Sequence, residues 1–449
     1  MRLLPTLPLL LLAATACVPL GTPITDPNAA RRPPATGQKG GTEYYADKTL
    51  RYEDAIYDPN VRTVQCYVPT GQANEVFNPP IVSLGQGQPV MLEFDVIGGQ
   101  GGRLSAKLVH CDVNWQPSVL TDMQFLSEIN EQFITDYRVS NATKVPYYHY
   151  RTQMPRVKLS GNYLWVVSSP GGTPLVSRRV LVYDEDGVQV VLKQGIPVAG
   201  AERYTLQQLD FGIRYNMQII NPSQEVKVVL RQNFRWDNAK YNLRPTFVRE
   251  AERQLDYQYF NFENTFPGLS EFRFFDLRTF RSAGVGVGQI DANSAPRTAE
   301  LLPETTRNGQ RYTQYDDING QRVIESREYG NGATNGDYLM VGFHLKAEQP
   351  APGPVYVLGA LTDWQFKDEF KLTYDAVAQE YRGQALLKQG YYNYIYAVQT
   401  PQGPNSVYWE GSHQETENRY DLLVYYRPPG TRADLLIGYQ TIDVNGRQP

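Results

Sequence analysis

Short apolar segments bounded by Gly, Pro or Asn recur along the chain. They span residues 62–68, 90–96, 104–109, 163–167, 179–183, 188–192, 217–220 and 225–230. In several of them apolar residues stand two positions apart, as Val226, Val228 and Leu230 do. This period predicts half-buried antiparallel β-strands. One helix is predicted over residues 121–132, with Thr121 as its cap and Leu126 and Ile129 at helical spacing.

The composition favours a mostly β protein of tandem β-sandwich domains. The chain has 449 residues, too many for one ordinary core, and its 32 Tyr and 31 Pro are typical of sandwiches with many turns. A turn at 184–187 and a Pro-rich stretch at 347–354 suggest boundaries. We therefore expect a first β-sandwich domain at 51–185, a second β domain at 186–346 and a C-terminal domain at 347–449.

The last of these segments resembles the early-set immunoglobulin-like modules. Gly359 precedes Trp364 in a Gly-x-Leu-x-x-Trp turn, and Gly390, Tyr392 and Tyr394 form a Gly-x-Tyr-x-Tyr strand. Gly359 allows a sharp turn, and Trp364 can cover one end of a sandwich core. The resemblance implies an immunoglobulin-like or early-set fold for residues 347–449.

The first residues predict export from the cytoplasm. Arg2 precedes the apolar stretch 3–12, and the small residues 14–16 precede Cys17, as in a lipoprotein signal peptide. We expect residues 1–16 to be removed and Cys17 to be lipidated, with plain cleavage after Ala16 as the alternative. Residues 17–50 have no hydrophobic period and predict a flexible tether. They lack an acidic cluster, which favours a periplasm-facing, outer-membrane-associated lipoprotein.

Charge and cysteine content narrow the class of protein further. The formal net charge of −4 gives no reason to expect binding to nucleic acid. After Cys17 only Cys66 and Cys111 remain. In the periplasm they could form a disulfide, but two buried free thiols are the favoured interpretation because spacing alone does not show that their strands are neighbours.

Motifs for catalysis are absent from the sequence. It contains no Gly-x-Ser-x-Gly nucleophile turn, no Cys-x-x-Cys or His-x-x-x-His pair and no phosphate-binding loop. Residues 316–320 (Asp-Asp-Ile-Asn-Gly) lack the spaced acidic ligands of an EF-hand and predict an Asx-rich turn instead. We therefore predict a protein that is not an enzyme and needs no cofactor or metal.

Four blocks of uncommon residues carry a family resemblance. They are 110–118 (His-Cys-Asp-Val-Asn-Trp-Gln-Pro-Ser), 136–141 (Asp-Tyr-Arg-Val-Ser-Asn), 231–239 and 410–418. In this order they resemble the plug protein of the type IX secretion system of Bacteroidetes-type bacteria. The resemblance implies a partner, the giant outer-membrane β-barrel translocon, whose periplasmic end the protein would bind and seal.

The blocks also supply the candidate structural or partner-contact residues, which are His110, Asp112, Trp115, Arg235, Trp236, Asp237, His413 and Glu417. Hydrogen bonding at strand ends is the structural interpretation of these residues, and contact with a partner protein is the functional one. A glycan-binding outer-membrane lipoprotein is the alternative function, with Trp364, Tyr392 and Trp409 as a sugar-stacking platform. An enzyme would need a pocket with a polar cluster of perturbed pKa.

Overall fold

The computed structural model describes residues 42–72, 75–98, 101–197 and 200–446. The predicted signal peptide, the lipidation site Cys17 and most of the predicted tether lie outside these residues. The structure is 44% strand and 8% helix, with several antiparallel sheets. The prediction of a mostly β protein built from sandwiches is confirmed.

The strands follow one another in four groups along the chain. The first group is β1 (Ala55–Ile56), β2 (Val61–Tyr67), β3 (Ile81–Ser83), β4 (Met91–Ile97), β5 (Leu104–Cys111), β6 (Gln132–Ile134), β7 (Asp136–Val139), β8 (Tyr147–Gln153), β9 (Gly161–Ser168) and β10 (Pro174–Tyr183). The second is β11 (Val188–Gly195), β12 (Leu206–Tyr215), β13 (Lys227–Gln232), β14 (Lys240–Tyr241), β15 (Phe247–Arg249), β16 (Gln254–Tyr257) and β17 (Thr265–Pro267). The third is β18 (Arg273–Asp276), β19 (Val287–Asp291), β20 (Arg297–Leu301), β21 (Arg322–Ile324), β22 (Tyr338–Lys346), β23 (Val355–Leu358), β24 (Lys371–Asp375), β25 (Glu380–Lys388), β26 (Gly390–Thr400) and β27 (Gly403–Asn405). The last is β28 (Asn418–Tyr426) and β29 (Leu435–Val444).

Helices in the described residues are short. The α-helices are Thr42–Ala46, Asp122–Phe125, Pro222–Glu225, Gly332–Asn335 and Val407–Glu410, and the 3₁₀ turns are Glu75–Phe77, Ala201–Tyr204, Ala360–Thr362 and Asp368–Phe370. None of these helices is long and apolar enough to cross a membrane.

The first unit is a sandwich of two sheets made by β1–β10. Sheet I has the order β1-β10-β9-β5-β6, with β3 beside β10, and sheet II has the order β2-β4-β8-β7. Side chains such as Leu92, Phe94, Leu108 and Trp165 fill the space between them. The alternation of side chains along each strand supplies one apolar face per sheet to this core.

The second unit is a sandwich that the chain leaves and later re-enters. Sheet III has the order β11-β12-β16-β15 with β17 beside β12, and sheet IV has the order β14-β13-β28-β29. Strand β28 pairs with β13 from Lys227↔Tyr425 to Gln232↔Tyr420. Residues 418–444 therefore complete a sheet that began nearly two hundred residues earlier in the chain.

The third unit lies between the two parts of the second in sequence. Strands β18–β27 form one sheet of ten strands. Strand β22 pairs along its whole length with β25, from Tyr338↔Lys388 to Lys346↔Glu380. The Pro-rich stretch 347–354 is a connection within this sheet, so strand pairing crosses the predicted boundary at 346/347. How the chain divides into independently folding domains stays a prediction.

The first two units share an apolar interface. The face of sheet I turned away from sheet II packs on sheet IV, where Leu164 and Leu181 meet Val229 and Leu423. Sheet I is therefore covered on both faces, and all eight residues of β9 are buried. The four sheets stack in the order II, I, IV, III. An apolar interface of this kind fixes two units relative to each other.

The first and third units are joined by polar contacts instead. The Lys388 ammonium lies 2.6 Å from the Asp95 carboxylate, and the Tyr338 hydroxyl donates to the same carboxylate at 2.7 Å. Both Asp95 and Lys388 are buried. The His149 ring lies 2.8 Å from Asp95 on the other side. Because the acid is surrounded by donors, the buried charge is compensated.

Four local predictions have different outcomes. The helix predicted at 121–132 is only Asp122–Phe125, because the backbone becomes extended at the buried Leu126 and Ile129 is 82% exposed. The segment 217–220 is not a strand, and its Ile220 is exposed. The turn at 316–320 is confirmed: the Asp317 carboxylate accepts the Asn319 N–H at 2.7 Å. Cys66 and Cys111 are free thiols.

Candidate functional site

The block at 110–118 forms a tight turn at the end of β5. The Asp112 carboxylate accepts the N–H groups of Asn114 at 2.9 Å and Gln116 at 2.8 Å. Trp115 sits at a positive φ of 62° within this turn, and its side chain is 1% exposed. The role of Asp112 is therefore to hold the turn that directs Trp115 toward the second unit.

The second block meets that turn from sheet IV. The rings of Trp115 and Trp236 pack edge to face with centroids 5.1 Å apart. The Arg179 guanidinium, from β10, lies 4.5 Å from the Trp115 ring and 5.0 Å from the Trp236 ring. Arg231 lies 4.0 Å from Trp236. We call these four side chains the Arg–Trp stack, and each such contact contributes on the order of 0.5–2 kcal/mol.

Arg235 and Asp237 extend this contact to the third unit. The guanidinium donates to both oxygens of Asp237, at 3.0 and 2.6 Å, which fixes its plane. The same guanidinium lies 3.9 Å from the ring of Trp364. Arg235 is itself buried. One short segment of the second unit thus contacts the first unit through Trp236 and the third through Arg235.

A buried ion pair connects the first and third units at the same place. Arg178, next to Arg179 on β10, donates to Asp363 at 3.0 Å, and Lys367 donates to the other oxygen at 2.9 Å. Burial alone would raise the pKa of Asp363, but Arg178, Lys367 and Arg322 together hold it below its ordinary value. This acid stays ionised at neutral pH.

These contacts surround a cleft of about 880 Å³ where the three units meet. We call it the junction cleft. Three of the five tryptophans line it, together with Arg178, Arg179, Arg231, Arg235 and Arg322. Of the predicted site residues, Trp115, Arg235, Trp236 and Asp237 line it directly. Its volume falls in the range of ligand sites, roughly 300–1,000 Å³.

His110 lies outside the cleft and performs no visible chemistry. Its ring packs against Phe125 and Tyr163, with centroids 5.8 and 5.2 Å away. Both ring nitrogens lack a hydrogen-bond partner among the described residues, so His110 does not take part in the hydrogen bonding expected at a strand end. Burial lowers the pKa of His110 to about 4. The ring is therefore neutral and serves as a packing residue.

The two remaining candidates, His413 and Glu417, lie at a second place between the second and third units. The His413 ring packs on Tyr312 at 5.6 Å, and the Glu417 N–H donates to the Glu271 carboxylate at 3.2 Å. Burial, assisted by the neighbouring acids, raises the pKa of Glu271 to about 7 and that of Asp317 to about 6. The described residues contain no group of three or more acidic, His or Cys side chains arranged to hold a metal ion.

The aromatic platform of the glycan-binding alternative is not formed. Tyr392 and Trp409 are 1% and 4% exposed and belong to the core of the third unit. Trp364 is partly buried, and Arg235 covers one of its faces. Sugar stacking requires an open ring face, which these side chains do not share.

The first unit matches a known protein family. Residues 61–184 match the family described as the type 9 secretion system plug protein 1st domain. The first unit is similar to the first domain of plug proteins. This match confirms the resemblance seen in the sequence over residues 61–184, and it suggests a role in type IX secretion and a location associated with the cell envelope.

One solved structure is similar to most of the chain. A crystal structure of a hypothetical protein from Parabacteroides merdae is 26% identical, covers 88% of this chain and 100% of its own, and superposes with a TM-score of 0.81. The E. coli alpha-2-macroglobulin and a marsupial T cell receptor are each 7% identical, with TM-scores of 0.19 and 0.14, and carry no argument. No curated protein matches the chain.

The residues of the junction cleft that the sequence did not reveal include Arg178, Arg179, Arg322 and Asp363. Each stands in an unremarkable strand or turn, far in sequence from its partners. The pair Arg178-Arg179 in an otherwise apolar strand was the one visible signal, because two adjacent charges in a strand point to opposite faces. In a sheet buried on both faces, both must find partners.

Proposed function

We propose that this protein is a non-enzymatic plug that binds and seals the periplasmic end of the outer-membrane barrel of the type IX secretion system. The observation that carries the proposal is the match of residues 61–184 to the first domain of plug proteins. A barrel wide enough for folded cargo leaks solutes when idle, so one end must be closed. The proposed partner is the barrel itself.

The rigidity of the described body supports this role. Sheets I and IV share an apolar interface, the Arg–Trp stack adds contacts at its rim, and two buried ion pairs fix the third unit to the first. A preordered surface loses less conformational entropy on binding than a disordered one. A body of this kind can cover a pore without first folding on it.

The chemistry of the described residues supports a binding role over catalysis. Several arginines of the junction cleft contact acids in its wall, as in Arg178–Asp363 and Arg235–Asp237. No nucleophile there is paired with a general base, and the thiol of Cys66, which lines the cleft, has a pKa raised by burial. A thiol with a raised pKa is a poor nucleophile.

Deletion of the gene tests the proposed function. Loss of the plug should make the outer membrane permeable to large polar antibiotics, while secretion of type IX cargo continues at least in part. The leak requires a pore, so it should disappear when the barrel is deleted as well. Antibiotic uptake is compared in four strains: wild type, without this protein, without the barrel, and without both.

Co-purification provides the second measurement. A tagged copy of this protein should bring the barrel with it from outer-membrane extract. Equal antibiotic uptake in the first two strains, together with absence of the barrel from the purified material, would refute the plug.

Attachment to the outer membrane through Cys17 is a separate proposal. Its basis is the small-residue run 14–16 before Cys17, which follows an apolar stretch. A lipid raises the local concentration of the protein at the membrane that contains the barrel. Cys17→Ser should release the protein into the soluble periplasm and abolish labelling by radioactive palmitate. Lipidation is excluded if the unaltered protein takes up no label and the variant keeps its membrane partition.

A further inference from the structure

The junction cleft has the features of a binding site that the plug role does not use. Side chains from all three units line it, among them Gln65 and Trp115 from the first, Trp236 from the second, and Gln321 and Trp364 from the third. A site assembled from three rigid units is present before a ligand arrives. Preformed clefts of this size at unit interfaces are the usual position of ligand sites.

The tryptophans in its wall are already engaged. Arg179 and Arg231 lie over Trp236, Arg179 also lies over Trp115, and Arg235 lies over Trp364. Guanidinium groups thus occupy the ring faces that a sugar would need. The wall is a fixed cationic and aromatic surface, which disfavours a glycan as the occupant.

Free hydrogen-bonding capacity comes from glutamines. The side chains of Gln65, Gln116, Gln321 and Gln399 line the cleft and form no hydrogen bond with other described residues. A primary amide offers two donors and one carbonyl acceptor, the same groups that a peptide backbone presents. Four such amides in one cleft are suited to the backbone of an extended chain.

A strand edge reinforces this suitability. Strand β2 is the last strand of sheet II, and its residues Val64, Gln65 and Cys66 line the cleft. The Val64 carbonyl accepts from Arg322 at 2.7 Å. In an antiparallel pair, every second residue of the edge strand turns its N–H and C=O outward. Edge strands present unpaired N–H and C=O groups, to which extended peptides add as a further strand.

The charge of the wall selects among peptides. Arg179 donates to the Tyr52 carbonyl, and Arg322 donates to the carbonyls of Ala360 and Val64. Neither guanidinium lies within ion-pair distance of a carboxylate among the described residues. Asp54 interacts with Arg179, and Asp363 with Arg322, only from beyond ion-pair distance, so neither guanidinium has a carboxylate in direct contact. An incoming carboxylate would supply that contact.

We propose that the junction cleft binds an extended acidic peptide segment of a partner protein. Glutamine amides and the edge of β2 recognise its backbone, and Arg179 and Arg322 attract its carboxylates. The proposal rests on the proposed function in one respect: if the protein is a plug, the segment belongs to a protein of the secretion system. The binding chemistry stands independently of that source.

The test uses purified mature protein and three fluorescein-labelled decapeptides. In each, Thr alternates with a second residue, which is Asp, Ser or Lys, and maltohexaose serves as a glycan probe. Fluorescence anisotropy should show binding of the Asp peptide at least tenfold tighter than the Ser peptide, with no saturable binding of the Lys peptide. Tighter binding of the Ser or Lys peptide, or competition by maltohexaose, would overturn the proposal.

Charge variants locate the site. Gln116→Glu with Gln402→Glu adds two negative charges at exposed positions that line the cleft, and should weaken the Asp peptide at least fivefold. Gln189→Glu adds a negative charge on exposed β11, away from the cleft, and should leave affinity unchanged. If the cleft variant and the Gln189 variant change the affinity for the Asp peptide equally, the cleft is not the site. The proposal is also refuted if folded wild-type protein, checked by its melting temperature, binds none of the peptides. Capture of the barrel without peptide binding would leave the plug role standing.

Discussion

The contact between Asp95 and Lys388 gives a quantitative test of how the first and third units are held together. Both side chains are 1% exposed, and the ammonium also donates to the Ala333 carbonyl at 2.7 Å. Burial lowers the pKa of Lys388, which Asp95 opposes. Lys388→Met keeps most of the apolar stem of the side chain but removes the ammonium, so it tests the charge and hydrogen bonds of that group.

The expected loss follows from what remains around Asp95. Breaking a buried ion pair costs roughly 3–5 kcal/mol because one charge stays buried without its partner. Here Tyr338 and His149 still bond to the carboxylate, at 2.7 and 2.8 Å, so we expect the lower end, about 3 kcal/mol. The matched control is Lys346→Met on β22, whose side chain is 47% exposed beside Glu380, with an expected cost of at most about 1 kcal/mol.

Urea unfolding followed by tryptophan fluorescence measures both variants. The double variant Asp95→Asn with Lys388→Met should cost less than the sum of the two single changes, because it leaves no unpaired charge. The Asp95–Lys388 pair does not hold the two units together if Lys388→Met lowers the free energy of unfolding no more than Lys346→Met does. The same conclusion follows if the losses of the two single variants simply add up in the double variant.

Three further predictions concern other parts of the structure. The pKa of Glu271 in the folded protein is raised to about 7, above its unfolded value, so the stability of the protein should fall as pH rises from about 4.5 toward 7. Glu271→Gln should reduce this pH dependence in melting curves recorded from pH 4 to 8. Trp115→Ala should cost about 3–5 kcal/mol, and Trp236→Ala, which is less buried, should cost less by the same urea assay. Gly320 has a φ of 79°, and a Cβ there would lie 2.6 Å from the Trp364 ring. Gly320→Ala should therefore lower the melting temperature and shift the tryptophan fluorescence spectrum. An unchanged spectrum would contradict the close approach of Gly320 to Trp364.

Much of the architecture was predictable because its signals are local. The strand signal in β13 and the turn chemistry of residues 316–320 depend on neighbouring residues only, and the structure contains both elements. Strand β13 is nevertheless buried on both faces instead of half-buried, because Val228 and Leu230 pack in one core and Val229 in another. The return of β28 to β13 was not predictable, since the alternation of a strand is the same whichever sheet it joins. The Pro-rich stretch 347–354 therefore suggested a boundary where the structure has a connection within one sheet.

In the candidate site, too, the features with a local sequence signal could be predicted and the contacts between distant residues could not. The blocks around Trp115 and Trp236 were chosen because their residues are uncommon, and the structure brings these two rings together. Their contact depends on Arg179, which has no motif of its own. His110 was chosen from the same block, yet it has a packing role only. A short motif thus located the region, while the partners across it depended on the packing of three units.

The return of β28 and β29 to sheet IV has a consequence for the order in which the units fold. Domains generally fold from the N-terminus as the chain emerges, and the first unit can form its own core in this way. Sheet IV contains β13 and β28, so the second unit stays incomplete until residue 444 has been synthesised. Until then the apolar outer face of sheet I is exposed, a state that favours aggregation. Chains truncated before Asn418 would remain in this state, and their removal by proteases would act as quality control on a full-length product.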